Sequence, residues 1–217
     1  MRLLKERTDI VRYGQRMVAC GLTVATGGNL SVADRREGLV AISPSSMEYH
    51  SVKPSHVAIV TMEGEKVEGR GKPSSELPLH LALYRKRSDV QAVVHTHSIF
   101  ATTIASLGLE IPAFHYLVAY SGKKIPLAPY ATFGSVNLAR NVARAIGNHN
   151  AVLMAHHGMA AVGTTLSAAF TLAEIVEYLA RIYWQARSLG EPVILSEEEM
   201  EKVIRKMETY RCSDSAP

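Results

Sequence analysis

The chain has 217 residues, 47% of them hydrophobic and 20% charged, with a formal net charge of +4 at pH 7. This length and composition suit one well-packed domain, taken as residues 1–210 with a loose tail over residues 211–217. The basic residues fall in short runs (Arg35-Arg36, Arg85-Lys86-Arg87, Lys123-Lys124) with no interleaved aromatics. That pattern argues against a nucleic-acid surface and suits a small anionic ligand.

Residues 4–20 read as an amphipathic helix stopped by Gly21, with Cys20 as a buried thiol. Cys20 and Cys212 are the only cysteines, so neither a disulfide framework nor a thiolate metal site is expected. The segment Arg2-Leu3-Leu4-Lys5-Glu6-Arg7 is too charged for a signal-peptide core, and no apolar run approaches membrane-spanning length. A soluble, cytoplasmic protein is the expectation.

The glycines of Thr26-Gly27-Gly28-Asn29 make a tight turn into a strand, and residues 39–43 form a second strand ended by Pro44-Ser45-Ser46. Residues 57–62 and 66–68 flank Glu63-Gly64-Glu65 as a hairpin. After a loop over residues 69–75, a helix is expected to about Arg87, with Ser75 as N-cap and Pro78 in its first turn. Ala92-Val93-Val94 is a short buried strand that runs into His95-Thr96-His97. Helices follow over residues 98–107 and 135–146, and a buried strand over residues 151–155 runs into His156-His157-Gly158.

The long helix over residues 165–188 carries one apolar stripe of Ala168, Leu172, Ile175, Val176, Leu179 and Tyr183. Glu177 and Arg181 stand at the spacing of an i,i+4 ion pair. Ser196, with Glu199 in capping-box position, opens a last helix. Hairpins mixed with helices predict an α/β domain with a central, largely antiparallel or mixed sheet.

His95 and His97 carry the chemistry. Residues two apart on a strand face the same way, so two imidazoles can stand together at the strand's mouth as metal ligands. A catalytic metal takes a third protein ligand, and His156, His157 and Glu76 are all candidates. His80 lies one turn beyond Glu76 on the same helix face. His50, His56, His115 and His149 stand in ordinary loop or helix-end contexts. Gly28-Asn29, Ser45-Ser46 and Ser74-Ser75 are small polar clusters at turns, suited to holding a phosphate.

Together these stretches resemble one family. Thr26-Gly27-Gly28-Asn29-Leu30-Ser31, Gly71-Lys72-Pro73-Ser74-Ser75-Glu76, His95-Thr96-His97, Ala128-Pro129-Tyr130-Ala131-Thr132-Phe133-Gly134 and His157-Gly158 are similar, in order and spacing, to the class II aldolase/adducin family. The resemblance covers nearly the whole chain and implies a three-layer α/β/α fold. It implies zinc held by His95, His97 and His157, with Glu76 as a fourth ligand that becomes the acid/base when substrate binds. It implies a phosphate site from Thr26, Gly28, Asn29, Ser45, Ser46, Ser74 and Ser75. Tyr116 matches a hydroxyl that reaches a neighbouring subunit's site, and Tyr210 matches a tyrosine that closes over it. The implied assembly is a cyclic homotetramer with active sites at subunit interfaces. The implied reaction is reversible cleavage of a ketose 1-phosphate, such as L-fuculose 1-phosphate, to dihydroxyacetone phosphate and an aldehyde. Zinc would stabilise the enediolate.

The same scaffold resembles pentulose-phosphate 4-epimerases and a methylthioribulose-phosphate dehydratase. The epimerase pattern has Asp where Glu76 stands, which favours the aldolase. A non-enzymatic interaction domain like the adducin head lacks the metal ligands kept here. A zinc hydrolase would use the same ligands to activate water.

Overall fold

Short runs of apolar residues, too short to be stable alone, become a sheet here because both faces are covered. Residues 1–213 are described in a computed structural model of the chain. The elements run α1 (Leu4–Ala19), β1 (Asn29–Asp34), β2 (Leu39–Ile42), β3 (Ala58–Thr61), β4 (Lys66–Glu68), α2 (Leu77–Lys86), β5 (Ala92–Thr96) and α3 (Ile99–Ser106). They continue with β6 (Leu127–Ala128), α4 (Val136–Ile146), β7 (Ala151–Met154), β8 (Gly158–Gly163), α5 (Leu166–Leu189) and α6 (Glu197–Ser213). The strands form one 8-stranded sheet in the order β4-β3-β2-β1-β5-β8-β7-β6. Every pairing is antiparallel except β6 with β7.

Side-chain alternation sorts the sheet into two cores. Leu30, Ala41, Ile59 and Val94 pack with Ile10 and Met17 of α1, Ile104 of α3 and Phe170 and Val176 of α5. Val40, Val60, Val93 and Val152 face the other way, against Leu79, Leu83 and Tyr84 of α2 and Leu138 and Val142 of α4. The result is the expected three-layer α/β/α arrangement with a mixed, largely antiparallel sheet. His95 has the parity of Val93, so its ring lies on the side of α2.

Sequence and structure differ at several points. β8 was not expected: Gly158-Met159-Ala160-Ala161-Val162-Gly163 is buried on both faces, so it shows no polar alternation. Ser75 does not cap α2. Glu76 holds the cap position, and its N–H donates to Ser74 Oγ at 3.2 Å. Cys20 is exposed rather than buried, because α1 ends at Ala19 and Cys20 is its C-cap, beyond the buried face of Ile10, Gly14 and Met17. Ala168 is exposed, and Ala169 takes its place in the buried stripe of α5.

Glu177 does not pair with Arg181. Its carboxylate accepts from Phe100 N and Ala101 N, both at 2.9 Å, at the start of α3. Two backbone donors at a helix N-terminus hold a carboxylate better than one mobile exposed guanidinium does. Helix α6 continues to Ser213, three residues into the segment read as tail, and residues 214–217 lie outside the described residues. Among the described residues, no helix is long and apolar enough to cross a membrane.

Candidate metal centre

Five elements bring their ends to one cavity of about 370 Å³. The turn before β1 supplies Thr26, Gly28 and Asn29, and the turn after β2 supplies Ser45 and Ser46. Ser74, Ser75 and Glu76 enter from the start of α2, and His97 and His157 from the ends of β5 and β7. His95 lies fully buried behind them. The sequence-predicted residues thus converge, apart from Tyr116 and Tyr210. Tyr116 is 53% exposed and does not line the cavity. The side chain of Tyr210 lies outside the described residues.

The floor is a cluster of side chains. One ligand atom each from Glu76, His95, His97 and His157 lie within 4.8 Å of one another. His95 Nε2 is 2.7 Å from Glu76 Oε2 and 2.9 Å from His97 Nε2. His95 Nδ1 donates to the Met159 carbonyl at 2.9 Å, which fixes the ring and aims Nε2 into the cluster. Of the third-ligand candidates, the cluster takes in Glu76 and His157 and not His156, and His80 also lies outside it. His156 turns away with φ 55 and meets Tyr130 edge-on.

The charges are set by burial and mutual contact. Burial pushes the Glu76 carboxyl up, but the charge and hydrogen bond of His95, then His157 and Asn29, outweigh it. The carboxyl is held well below the usual carboxylate range. Burial, then repulsion from His95, pushes both His97 and His157 down to about 4. Burial acts against the charged form of His95 too, but Glu76 overrides it and raises that ring. At neutral pH His97 and His157 are therefore neutral, the form that binds metal.

The donor set fits a cation. Glu76 Oε1 is buried with no hydrogen-bond partner, 3.5 Å from His157 Nε2. Three ring nitrogens and a carboxylate converge on one point, and a divalent ion satisfies all of them where a shared proton satisfies two. Three imidazoles and a carboxylate are a chemistry suited to zinc and to other first-row metals.

The other wall is made of turns. Gly28 has φ 66, and a Cβ there would stand 2.8 Å from the His95 carbonyl oxygen. Ser46 is held at φ 56, a conformation ordinary for Gly and strained for Ser. Ser45 Oγ and Ser46 Oγ are 3.3 Å apart. A Cβ on Gly158 would meet the Thr96 carbonyl oxygen at 2.2 Å, so only glycine lets β8 start beside His97.

The family model of the Class II Aldolase and Adducin N-terminal domain matches residues 8–184. The chain belongs to the class II aldolase and adducin family. A 5-deoxy-D-ribulose 1-phosphate aldolase from Bacillus thuringiensis serovar kurstaki is 51% identical over 97% of this chain and 99% of that one. A 5-methylthioribulose-1-phosphate/5-deoxyribulose-1-phosphate aldolase from Rhodospirillum rubrum is 43% identical over 94% of this chain and 91% of that one. A solved L-fuculose 1-phosphate aldolase superposes with a TM-score of 0.92 at 42% identity, covering 94% of this chain and 96% of that chain. The protein is a class II aldolase, a lyase, with a metal-site cluster of three histidines and a glutamate.

Two residues of the site carried no role in the sequence. Ser31 and Tyr84 join His80 behind Asn29 in a buried chain of hydrogen bonds. The signal was periodic: Ser31 is two residues from Asn29 on β1, and Tyr84 is four from His80 on α2.

Proposed function

We propose that this chain cleaves a ketose 1-phosphate between C3 and C4, reversibly, to dihydroxyacetone phosphate and a short aldehyde. The carrying observation is one cavity with the His95, His97, His157 and Glu76 cluster on its floor and the Ser45, Ser46, Ser74 and Ser75 turns on its wall. The preferred substrate is a 5-deoxypentulose 1-phosphate, which yields acetaldehyde. The Bacillus thuringiensis relative, 51% identical and named for that substrate, supports this choice over L-fuculose 1-phosphate. L-Fuculose 1-phosphate, which yields L-lactaldehyde, is the second substrate to test.

His95, His97 and His157 would hold the metal, with zinc as the proposed ion and Glu76 as the fourth ligand of the empty site. A divalent ion supplies positive charge where negative charge develops on the substrate oxygens. Thr26, Gly28, Asn29, Ser45, Ser46, Ser74 and Ser75 would bind the phosphate and so fix C3 beside Glu76. Glu76, kept ionised by its neighbours, takes the C3 proton in the condensation direction and returns it in cleavage. Tyr116 lies outside its own cavity and would handle the aldehyde oxygen's proton from a second copy. Tyr210 is proposed to close over the site, and the proposed assembly is a homotetramer.

The test is release of dihydroxyacetone phosphate from the two ketose phosphates by the purified protein and by Glu76→Gln. Cleavage by the wild type and none by the variant is expected. Epimerisation of ribulose 5-phosphate without any cleavage would overturn the reading. A single-subunit mass in solution would remove Tyr116 from the mechanism.

A further inference from the structure

Behind the cavity floor runs a line of polar side chains that the metal cluster does not use. Tyr84 Oη lies 2.6 Å from Ser31 Oγ, and Ser31 Oγ lies 2.6 Å from His80 Nδ1. His80 Nε2 is 2.5 Å from Asn29 Oδ1, and Asn29 Nδ2 is 3.2 Å from Glu76 Oε2. Ser31 and His80 are fully buried, and Tyr84 is 1% exposed. The line ties the interior of α2 to the carboxylate at its start.

The donors follow from the Glu76 end. A carboxylate only accepts, so the Asn29 amide nitrogen faces it. Asn29 Oδ1 then faces His80, and an amide oxygen also only accepts, so His80 carries its proton on Nε2. Burial, then the His95 charge, keep the ring neutral, with a pKa pushed down to about 3. A neutral ring protonated on Nε2 offers a lone pair at Nδ1, to which Ser31 donates, and Tyr84 donates to Ser31 in turn. Burial pushes the Tyr84 phenol up, which keeps that last donor protonated.

We propose that His80 is a positioning residue that locks the Asn29 amide so that its N–H groups face Glu76 and an anionic ligand in the cavity. The proposal rests on the reading of Glu76 as the proton carrier. Without the His80 donor, a half-turn of the amide would set Oδ1 against the Glu76 carboxylate, acceptor against acceptor. Glu76 would lose a donor that holds its orientation, and Asn29 would present its oxygen to substrate. An anchor of the fold alone would lower the melting temperature when removed and leave kcat in place.

The experiment compares His80→Phe, an apolar ring of similar size, with His80→Gln, which keeps an N–H near the position of Nε2. Ketose 1-phosphate cleavage and melting temperature are measured on each as purified. The 15N NMR spectrum of the wild-type histidines gives the tautomer, with His80 assigned by its loss in His80→Gln. In His80→Phe, kcat is expected to fall about 10–100-fold, the range for losing the partners that orient groups at a metal site. His80→Gln is expected to recover most of that loss, and His80 to show a neutral ring protonated on Nε2. An unchanged kcat in His80→Phe, a His80→Gln no better than His80→Phe, or a proton on Nδ1 would each overturn the proposal. If His80→Phe does not fold, Ser31→Ala keeps the ring and removes only the donor to Nδ1. It is expected to lower kcat and mix the two tautomers, and no change in either overturns the proposal. If the wild type cleaves no ketose phosphate, the functional reading fails and the tautomer alone decides the orientation.

Discussion

The two walls of the cavity are built by different means. On the metal side, four side chains rooted in buried strands and a helix start converge, and His95 is fixed from behind by the Met159 carbonyl. On the anion side, the shape comes from turns, with Gly28 at φ 66 and Ser46 at φ 56. Among the described residues, three of the four non-glycine residues with positive φ, Ala25, Ser46 and His156, line the cavity or adjoin a residue that does. Strain of this kind persists where the surrounding structure fixes it, and it gathers at sites that need a particular backbone shape. The metal wall therefore acts through the identity of its side chains and the anion wall through backbone conformation. Substitutions on the two sides should fail differently.

The largest effect is expected on the metal side. Glu76→Gln keeps the size of the side chain and removes the proton acceptor. Cleavage should fall about 10²–10⁴-fold, the usual worth of a positioned acid/base, with the fold intact by circular dichroism. His97→Ala should leave a core of the same stability, because His97 stands at the cavity edge, beyond the end of β5. Its metal content, read by atomic emission, should drop from about one ion per chain, and activity with it. Chelation of the wild type should abolish cleavage without unfolding, since the two apolar cores do not depend on the ion. Unfolding on chelation would make the metal wall part of the fold.

The same contrast governs how much of the molecule could be read from its sequence. His95 and His97 announce themselves because strand period puts side chains two apart on one face. The third ligand did not follow from spacing, because His156 and His157 are adjacent and only the turn at His156, φ 55, decides which one enters the cluster. The turn residues Gly28, Ser45, Ser46, Ser74 and Ser75 read as ordinary loop composition, since the strain that shapes their turns is a property of φ and ψ. The family resemblance supplied their grouping, and the cavity shows them together. β8 was lost for the opposite reason: with Ala160 and Ala161 both buried in a strand covered on two faces, no pattern separates it from a loop or a short helix. Ala168 falls one helical position from the buried Ala169, the error a 3.6-residue period allows when the stripe is broad, and Cys20 falls past the end of α1, where helix period says nothing of burial.

On the anion side the sharper variants are Gly28→Ala and Ser45→Ala. Gly28→Ala adds a Cβ 2.8 Å from the His95 carbonyl oxygen at φ 66. It should cost about 1–3 kcal/mol of stability and raise KM for the phosphorylated substrate, as the turn shifts away from its neighbour Asn29. Ser45→Ala removes a half-buried hydroxyl whose partner is Ser46 Oγ. Its effect on stability should stay within about 0.5 kcal/mol, with a smaller rise in KM. Thermal melts and initial rates on both variants compare them directly. If Ser45→Ala does more harm than Gly28→Ala, the anion wall depends on side chains after all.

The gentlest perturbation is a change of pH applied to the metal-free protein, and the sign of its effect on stability follows from the buried rings. Burial pushes His80 down to about 3 and His97 and His157 to about 4, against 6.5 for an ordinary histidine. As pH falls below 6.5 the unfolded chain takes up protons at these positions and the folded chain does not, so unfolding is favoured. Glu76 acts in the same sense at lower pH, because its folded carboxyl stays ionised where the unfolded one, near 4.5, is protonated. His95 has the opposite sign. Its raised pKa gives stability below 6.5 that is lost as pH rises through the folded value. Three depressed rings against one raised ring predict a melting temperature that declines from pH 6.5 towards 4. His80→Gln removes one of the three without touching a ligand, so its melting temperature should decline less steeply over the same range. A parallel decline would mean that the folded His80 ring takes up its second proton over the same pH range as the unfolded one, and the donor order from Tyr84 to Glu76 would have to run differently.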